Sequence, residues 1–244
     1  MVKTILRSQS TSELDGLSVT IPCYKEDNEL VINLATSLMA KGAEVIVVDD
    51  GGFMDLPMTI GTIRHQPNMG YGYAIKRGIK ASKNDIVCVI DGDGQHLVTD
   101  VVKLYKTYQM IDDCKMVVGA RWNLKEKPIR WFARKCLNFL ASLIASHYLV
   151  DLNSGMRVFN RDVVLGYEPI LCDTFSFTTS LTMAMVTDKH KIAYFPIDVQ
   201  PRTFGKSRVR LLQDGLVTLY YIIYVGLALR TRGTRAWLRS ITGQ

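Results

Sequence analysis

The sequence predicts an α/β domain with a mostly parallel central sheet flanked by helices, and an amphipathic or interfacial helix at its C-terminal end. Three observations predict it. Short continuous apolar runs rich in β-branched residues recur through the first half, as strands buried on both faces require. Segments with apolar residues at helical spacing separate these runs, at the interval of a parallel sheet. Each run closes on polar or acidic residues, the place where open α/β sheets bind ligands.

Leu17 to Pro22 is the first strand. CYKEDNELVINLATSLMAKG follows, with apolar residues at 30, 31, 34, 35, 38 and 39, a helical repeat that stops at Gly42. EVIVVDD, residues 44 to 50, is the second strand, and Thr59 to Arg64 a weaker third. GYGYAIKRGIKAS opens a helix that leads into the apolar run ending at Ile90, and KMVVGAR, residues 115 to 121, is a further strand. LNFLASLIASHYL, residues 137 to 149, suits a helix with one face on the sheet and one toward lipid. LVTLYYIIYVGLAL, residues 216 to 229, carries no charge. It is shorter than the roughly 20 residues that span a bilayer, so it reads either as a buried core helix or as a helix lying at a membrane surface. The expected organisation is an N-terminal extension over 1–16, a catalytic domain over 17–208 and a basic, apolar tail over 209–244.

The chain of 244 residues is 48% hydrophobic and 22% charged, which suits one domain with a substantial core and excludes a disordered or repetitive protein. Its five cysteines are scattered without a C-x-x-C pair, which argues against a disulfide framework or a zinc site. The first sixteen residues hold no apolar block, so a secretory signal is not expected and the cytoplasm is the expected compartment. The net charge of +7 is concentrated around the uncharged C-terminal segment: Arg202, Lys206, Arg208, Arg210, Arg230, Arg232, Arg235 and Arg239 face one acid, Asp214. Basic charge around an apolar segment fits the cytoplasmic face of a membrane, peripherally bound, better than it fits nucleic acid, which wants aromatics interleaved with the basic residues.

DGDGQH, residues 91 to 96, carries the chemistry. Side chains two apart on an extended chain face the same way, so Asp91 and Asp93 converge on one point. Two negative charges there favour an oxygen-ligated cation, Mg2+ or Mn2+, which keeps waters and takes other ligands from substrate phosphates. An acidic turn without a ligand is the plainer alternative. A calcium loop is excluded, because His96 and Val102 stand where that loop needs Gly and Glu. GYGYAI at 70 to 75 supplies two of the three glycines of a dinucleotide fingerprint and lies far from the first strand, which excludes a nicotinamide site. With Pro22 to Glu26, Asp49-Asp50 and Gly119 to Arg121, the acidic pair is expected to line one crevice.

IPCYKED, VVDDGG and DGDGQH resemble, in order, the P-x-Y-x-E, V-D-D-G-S and D-x-D motifs of family 2 glycosyltransferases. GAR at 119 to 121, DLNSGMRVFNR at 151 to 161 and PRTFGKSR at 201 to 208 resemble later signatures of the polyprenyl-phosphate sugar transferases, the dolichyl-phosphate mannose synthase type. The resemblance implies a GT-A fold, a nucleotide-sugar donor, Mg2+ or Mn2+, and inversion at the anomeric carbon. It implies that Pro22, Tyr24, Glu26, Val48 and Asp50 hold base and ribose, and that Asp91 and Asp93 hold the metal with Gln95 beside them. It further implies that the Gly92 backbone meets the donor, and that Arg121, Arg202 and Arg208 hold the donor phosphates. Arg130 with Arg134 or Lys135 would meet an acceptor phosphate, and Asp93, Arg121 and Arg134 are the catalytic candidates. Three positions depart from the pattern. Gly52 replaces a Ser, Arg208 replaces a Lys and adds a planar fork for phosphate, and an acid of the helix after SGMR is replaced near Ser180.

The implied reaction moves a hexose from GDP-mannose or a UDP-hexose to a polyprenyl phosphate, dolichyl or undecaprenyl. A phosphate nucleophile is already anionic and needs no general base, whereas a hydroxyl acceptor needs one, for which Asp49, Asp50 and Asp151 are the spare carboxylates. One rival keeps the chemistry with a saccharide, protein or modified nucleic-acid base as acceptor. Another is a nucleotide-sugar binding protein without catalysis, against which the Asp91, Asp93, Gln95 set argues. Arg157 and Gly155 also admit plain structural roles, an ion pair and a turn.

Overall fold

A computed structural model describes residues 12–123, 128–201 and 211–242, the last helix with side chains from 213 to 231. Seven strands form one sheet: β1 (Leu17–Cys23), β2 (Glu44–Asp49), β3 (Gly61–Arg64), β4 (Ile86–Val89), β5 (Met116–Arg121), β6 (Arg157–Asn160) and β7 (Ile192–Ile197). Among the described residues seven α-helices flank it: α1 (Asn28–Ala40), α2 (Tyr71–Ala81), α3 (Val98–Met110), α4 (Pro128–Ala145), α5 (Arg161–Gly166), α6 (Phe177–Thr187) and α7 (Leu211–Thr242). The strand order is β3-β2-β1-β4-β6-β5-β7. Every pairing is parallel except those of β6, which runs antiparallel to both β4 and β5.

The two faces explain the continuous apolar runs. In β4, Cys88 packs into a core with Val19, Ile21 and Val47, under helices α1 and α3. Its neighbours Val87 and Val89 point the other way, into a core with Ile75, Phe177 and Leu181. Successive side chains alternate across a strand, so a strand covered on both sides must be apolar at every position. Helix α2 fits close to β1 because Gly78 has no side chain: a Cβ there would meet Thr20 Oγ1 at 2.7 Å.

Helix α4 begins nine residues before the apolar stretch at 137 that predicted it and ends at Ala145, so Tyr148 lies beyond its end. Helix α7 has one side in the core and one side exposed. Ile222, Val225 and Leu229 are buried in the core, while Leu216, Tyr220, Ile223 and Leu227 are exposed along the opposite side. Gly226 lets α7 approach α4, since a Cβ would meet the Ile144 side chain at 2.6 Å. Among the described residues no helix is long and apolar enough to cross a membrane. Four cysteines are buried, and Cys136, on α4, is exposed.

Candidate functional site

The chain leaves β1 for β2 and β3 on one side, then returns to place β4 on the other side of β1. That reversal opens a crevice between the carboxyl ends of β1 and β4. DGDG follows β4 directly, so the topology delivers its carboxylates to the crevice. Gly92 packs under β1 and α1, where a Cβ would stand 3.0 Å from Cys23 Sγ and 3.1 Å from Val31. Gly94 takes a φ of 76°, which turns the loop so that the Gln95 amide donates to Asp93 Oδ1 at 3.1 Å. Asp93 is buried at 4% exposure, and Asp91 is half-buried. The Tyr71 hydroxyl donates to Asp91 Oδ1 at 2.8 Å.

The loop is tied to the far edge of the sheet. Gln95 Nε2 donates to the Gln200 carbonyl at 3.2 Å, and the Gln200 amide donates back to the Gln95 carbonyl at 2.9 Å. Of the Gln95 side chain, only the amide oxygen has the chemistry to ligate a cation. Arg202 and Arg208, assigned to the donor phosphates, lie outside the described residues, as does Lys206.

Beyond β1, β2 and β3 lies a cleft of about 510 Å3, lined by Tyr24, Lys25, Phe53, Gln66 and Asn68. Pro22, one residue before the end of β1, is buried, Glu26 is half-buried, and the Lys25 ammonium lies 5.3 Å from the Tyr24 ring centroid. The side chain of Val48 packs against Ala74 and Ile46, so Val48 can meet a ligand only through its backbone. Asp50 is committed to shaping the cleft: Oδ1 pairs with His65 Nδ1 at 3.0 Å and accepts from Met69 N at 2.9 Å, and Oδ2 accepts from Gly70 N at 2.8 Å. Asp49 accepts from the amides of Gly52 and Met54 at 2.7 and 2.8 Å. A Cβ at Gly52 would stand 2.6 Å from the Lys25 nitrogen, so the glycine that departs from the family pattern lets the two loops touch.

Arg121, at the end of β5, spends its fork on Asp151: Nε and Nη2 each donate at 2.8 Å, one to each carboxylate oxygen. Burial alone would raise the Asp151 carboxyl, but the Arg121 guanidinium outweighs it and holds the group below its ordinary 3.8. Neither residue was expected to be so engaged, and Asp151 is not a spare base. Arg157 is buried at 1% exposure and pairs with no acid by hydrogen bond. Its guanidinium donates to the carbonyls of Ser154 and Leu152, both at 2.8 Å, and to Thr182 Oγ1 at 2.6 Å. Burial pulls its pKa down to about 10. Ser180, near which the pattern has an acid, donates to the Phe177 carbonyl at 2.8 Å and accepts from Cys172 N at 3.0 Å, holding the segment that covers the start of α2. On α4, Arg134 is half-buried, Arg130 and Lys135 are exposed, and the Lys135 ammonium stands 6.0 Å from the Trp131 ring centroid.

Asp91 and Asp93 offer hard carboxylate oxygens, and no third His, Cys, Asp or Glu completes a metal-binding group among the described residues. That donor set fits Mg2+ or Mn2+ with water and a diphosphate filling the remaining positions, and suits neither zinc nor a closed calcium cage. Sequence reasoning missed Tyr71 and Gln200, and gave Arg157 only an ion pair with a neighbouring acid as its plain role. A tyrosine at a helix start carries no local pattern that ties it to Asp91, nor does a glutamine after a strand carry one that ties it to Gln95.

The profile of Glycosyl transferase family 2 matches residues 18–166. The chain is 29% identical over 227 residues to an uncharacterized protein of Methanocaldococcus jannaschii, with 86% of this chain and 91% of that protein covered. It is 27% identical to the UDP-N-acetylglucosamine–dolichyl-phosphate N-acetylglucosaminyltransferase of Methanococcus voltae, covering 83% and 93%. Glucosyl-3-phosphoglycerate synthase of Mycobacterium tuberculosis, solved with Mn2+, UDP-glucose and phosphoglyceric acid, superposes with a TM-score of 0.68 at 17% identity, over 86% of this chain and 79% of that one. This last likeness is one of fold.

Proposed function

Because this chain belongs to the family 2 glycosyltransferases and adopts the GT-A fold, we propose that it transfers a hexose from GDP-mannose or a UDP-hexose to a polyprenyl phosphate at the cytoplasmic face of a membrane. The observation that carries the acceptor is the set of large apolar side chains left exposed at Trp122 and on α4 and α7. Trp122 is 71% exposed, and Ile129, Phe132, Phe139 and Leu143 of α4 are each more than half exposed. Phe132, Phe139 and Leu143 share a helical stripe, and α7 adds Leu216, Tyr220 and Leu227 beside it. A soluble domain rarely leaves so many large aromatic and aliphatic side chains exposed on two packed helices unless something apolar covers them. Arg130, Lys135 and Arg230 are exposed on the same helices and suit anionic lipid.

The cleft beside Tyr24 and Lys25 would take the nucleoside, and the Asp91–Asp93 loop the diphosphate. A divalent cation bound there supplies charge neutralisation for the departing diphosphate, a contribution of several kcal/mol. Arg202 and Arg208 are assigned to the same phosphates from the sequence. An acceptor phosphate oxygen would attack the anomeric carbon opposite the leaving diphosphate, forming the new C–O bond as the old one breaks and inverting the centre. No proton has to be removed from such an acceptor. This agrees with the state of the three candidate bases: Asp49 and Asp50 are occupied by loop amides and Asp151 by Arg121.

The test is sugar transfer to a polyprenyl phosphate in detergent, from a panel of labelled GDP- and UDP-sugars with Mn2+ or Mg2+, beside Asp93→Ala. We expect transfer from one donor, lost in the variant. Metal-dependent donor binding with no transfer to the lipid would leave the donor site standing and overturn the acceptor.

A further inference from the structure

We propose that Tyr71 is a positioning residue for Asp91, setting the carboxylate's orientation through its hydroxyl; the inference rests on the reading of Asp91 as a ligand of the cation and diphosphate. The hydroxyl donates to Asp91 Oδ1 at 2.8 Å. On the other side stands Gly155, where a Cβ would come within 2.5 Å of Asp91 Oδ2 and 3.1 Å of the Tyr71 oxygen. The carboxylate is therefore gripped between a phenol and a bare stretch of backbone. That explains why this position in SGMR is a glycine better than a turn does, since its φ is not left-handed.

Tyr71 is itself held from several directions. The amides just before it, of Met69 and Gly70, are tied to Asp50, and the Tyr73 amide donates to the Asp173 carbonyl at 3.0 Å. Its ring stacks on Phe175 with centroids 5.7 Å apart and planes 22° from parallel. A donor whose own rotamer is locked by packing can fix a partner to within a fraction of an ångström. Packing accounts for the ring but not for the hydroxyl, which a phenylalanine would lack while filling the same space.

The decisive measurement is Mn2+ binding, read from the EPR signal of free Mn2+ with UDP or GDP present, for the wild type, Tyr71→Phe, Gly155→Ala and Asp93→Ala. Groups that hydrogen-bond a metal's ligands typically contribute about 10- to 100-fold in affinity. We expect Tyr71→Phe to weaken Mn2+ binding about tenfold with thermal unfolding of the metal-free protein unchanged, and Gly155→Ala to weaken it as well by displacing the carboxylate. Transfer by Tyr71→Phe should recover at saturating Mn2+, a recovery that a merely structural role would not produce. Unchanged Mn2+ affinity in Tyr71→Phe, with Asp93→Ala binding none, overturns the positioning role alone. If Asp93→Ala binds Mn2+ like the wild type, the cation site itself is wrong and the inference falls with it.

Discussion

Arg157 and Asp151 illustrate how buried charge is used here. The Arg157 guanidinium satisfies two backbone carbonyls and a threonine in a place no water reaches, bracing the 152–154 loop against β6 and α6. Truncation to methionine would fill similar space but orphan both carbonyls, each worth about 1–3 kcal/mol when left unpaired, against which relief of the buried charge counts. We expect Arg157→Met to lose about 2–4 kcal/mol in urea unfolding. Arg157→Lys should not restore it, because one ammonium cannot replace a planar fork reaching three acceptors. Asp151 works through pH. Its folded pKa lies below 3.8, so the stability it supplies is complete above that value and is lost as pH falls through the folded pKa. Asp151→Asn should therefore flatten the acid limb of the stability curve below about pH 4 while leaving its shape near neutrality intact. Neither role was legible beforehand: the acids and bases of a sequence are visible, but their pairing across 30 residues, as in Arg121 and Asp151, is a product of the fold.

At the level of elements, the strands buried on both faces were the most legible, because nothing but a core tolerates VIVV or IVCVI. Strands β6 and β7 were not. β6 is four residues long and begins with an arginine, and β7, an edge strand, contains Pro196, which weakens its pattern. Helix α4 was read from its apolar half alone, since Arg130, Arg134 and Lys135 in its first turns break the stripe. The same helix carries a prediction. If α4 and α7 rest on lipid, Phe139→Glu with Leu143→Glu should reduce sedimentation with anionic vesicles by an order of magnitude or more, on the basis of roughly 25 cal/mol per Å2 of apolar surface withdrawn from water. Unfolding should not change, since both side chains are more than half exposed. Equal sedimentation of variant and wild type would remove lipid as the partner of this face.

Across the whole molecule, the crevice could be located before any coordinate because polar residues closed four parallel strands, and a parallel sheet brings such ends to one edge. What the sequence could not convey is how the acids divide their labour. Asp49 and Asp50 each bind loop amides, whereas Asp91 accepts from the Tyr71 hydroxyl and Asp93 from the Gln95 amide. Four identical side chains differ only in what the surrounding loops offer them. The distribution of thiols has a practical corollary. With four sulfhydryls sealed in the interior and Cys136 alone at the surface, the protein can be labelled at a single point without mutation. That point sits between Phe132 and Phe139, so a polarity-sensitive dye attached there turns the native chain into its own reporter of what α4 touches.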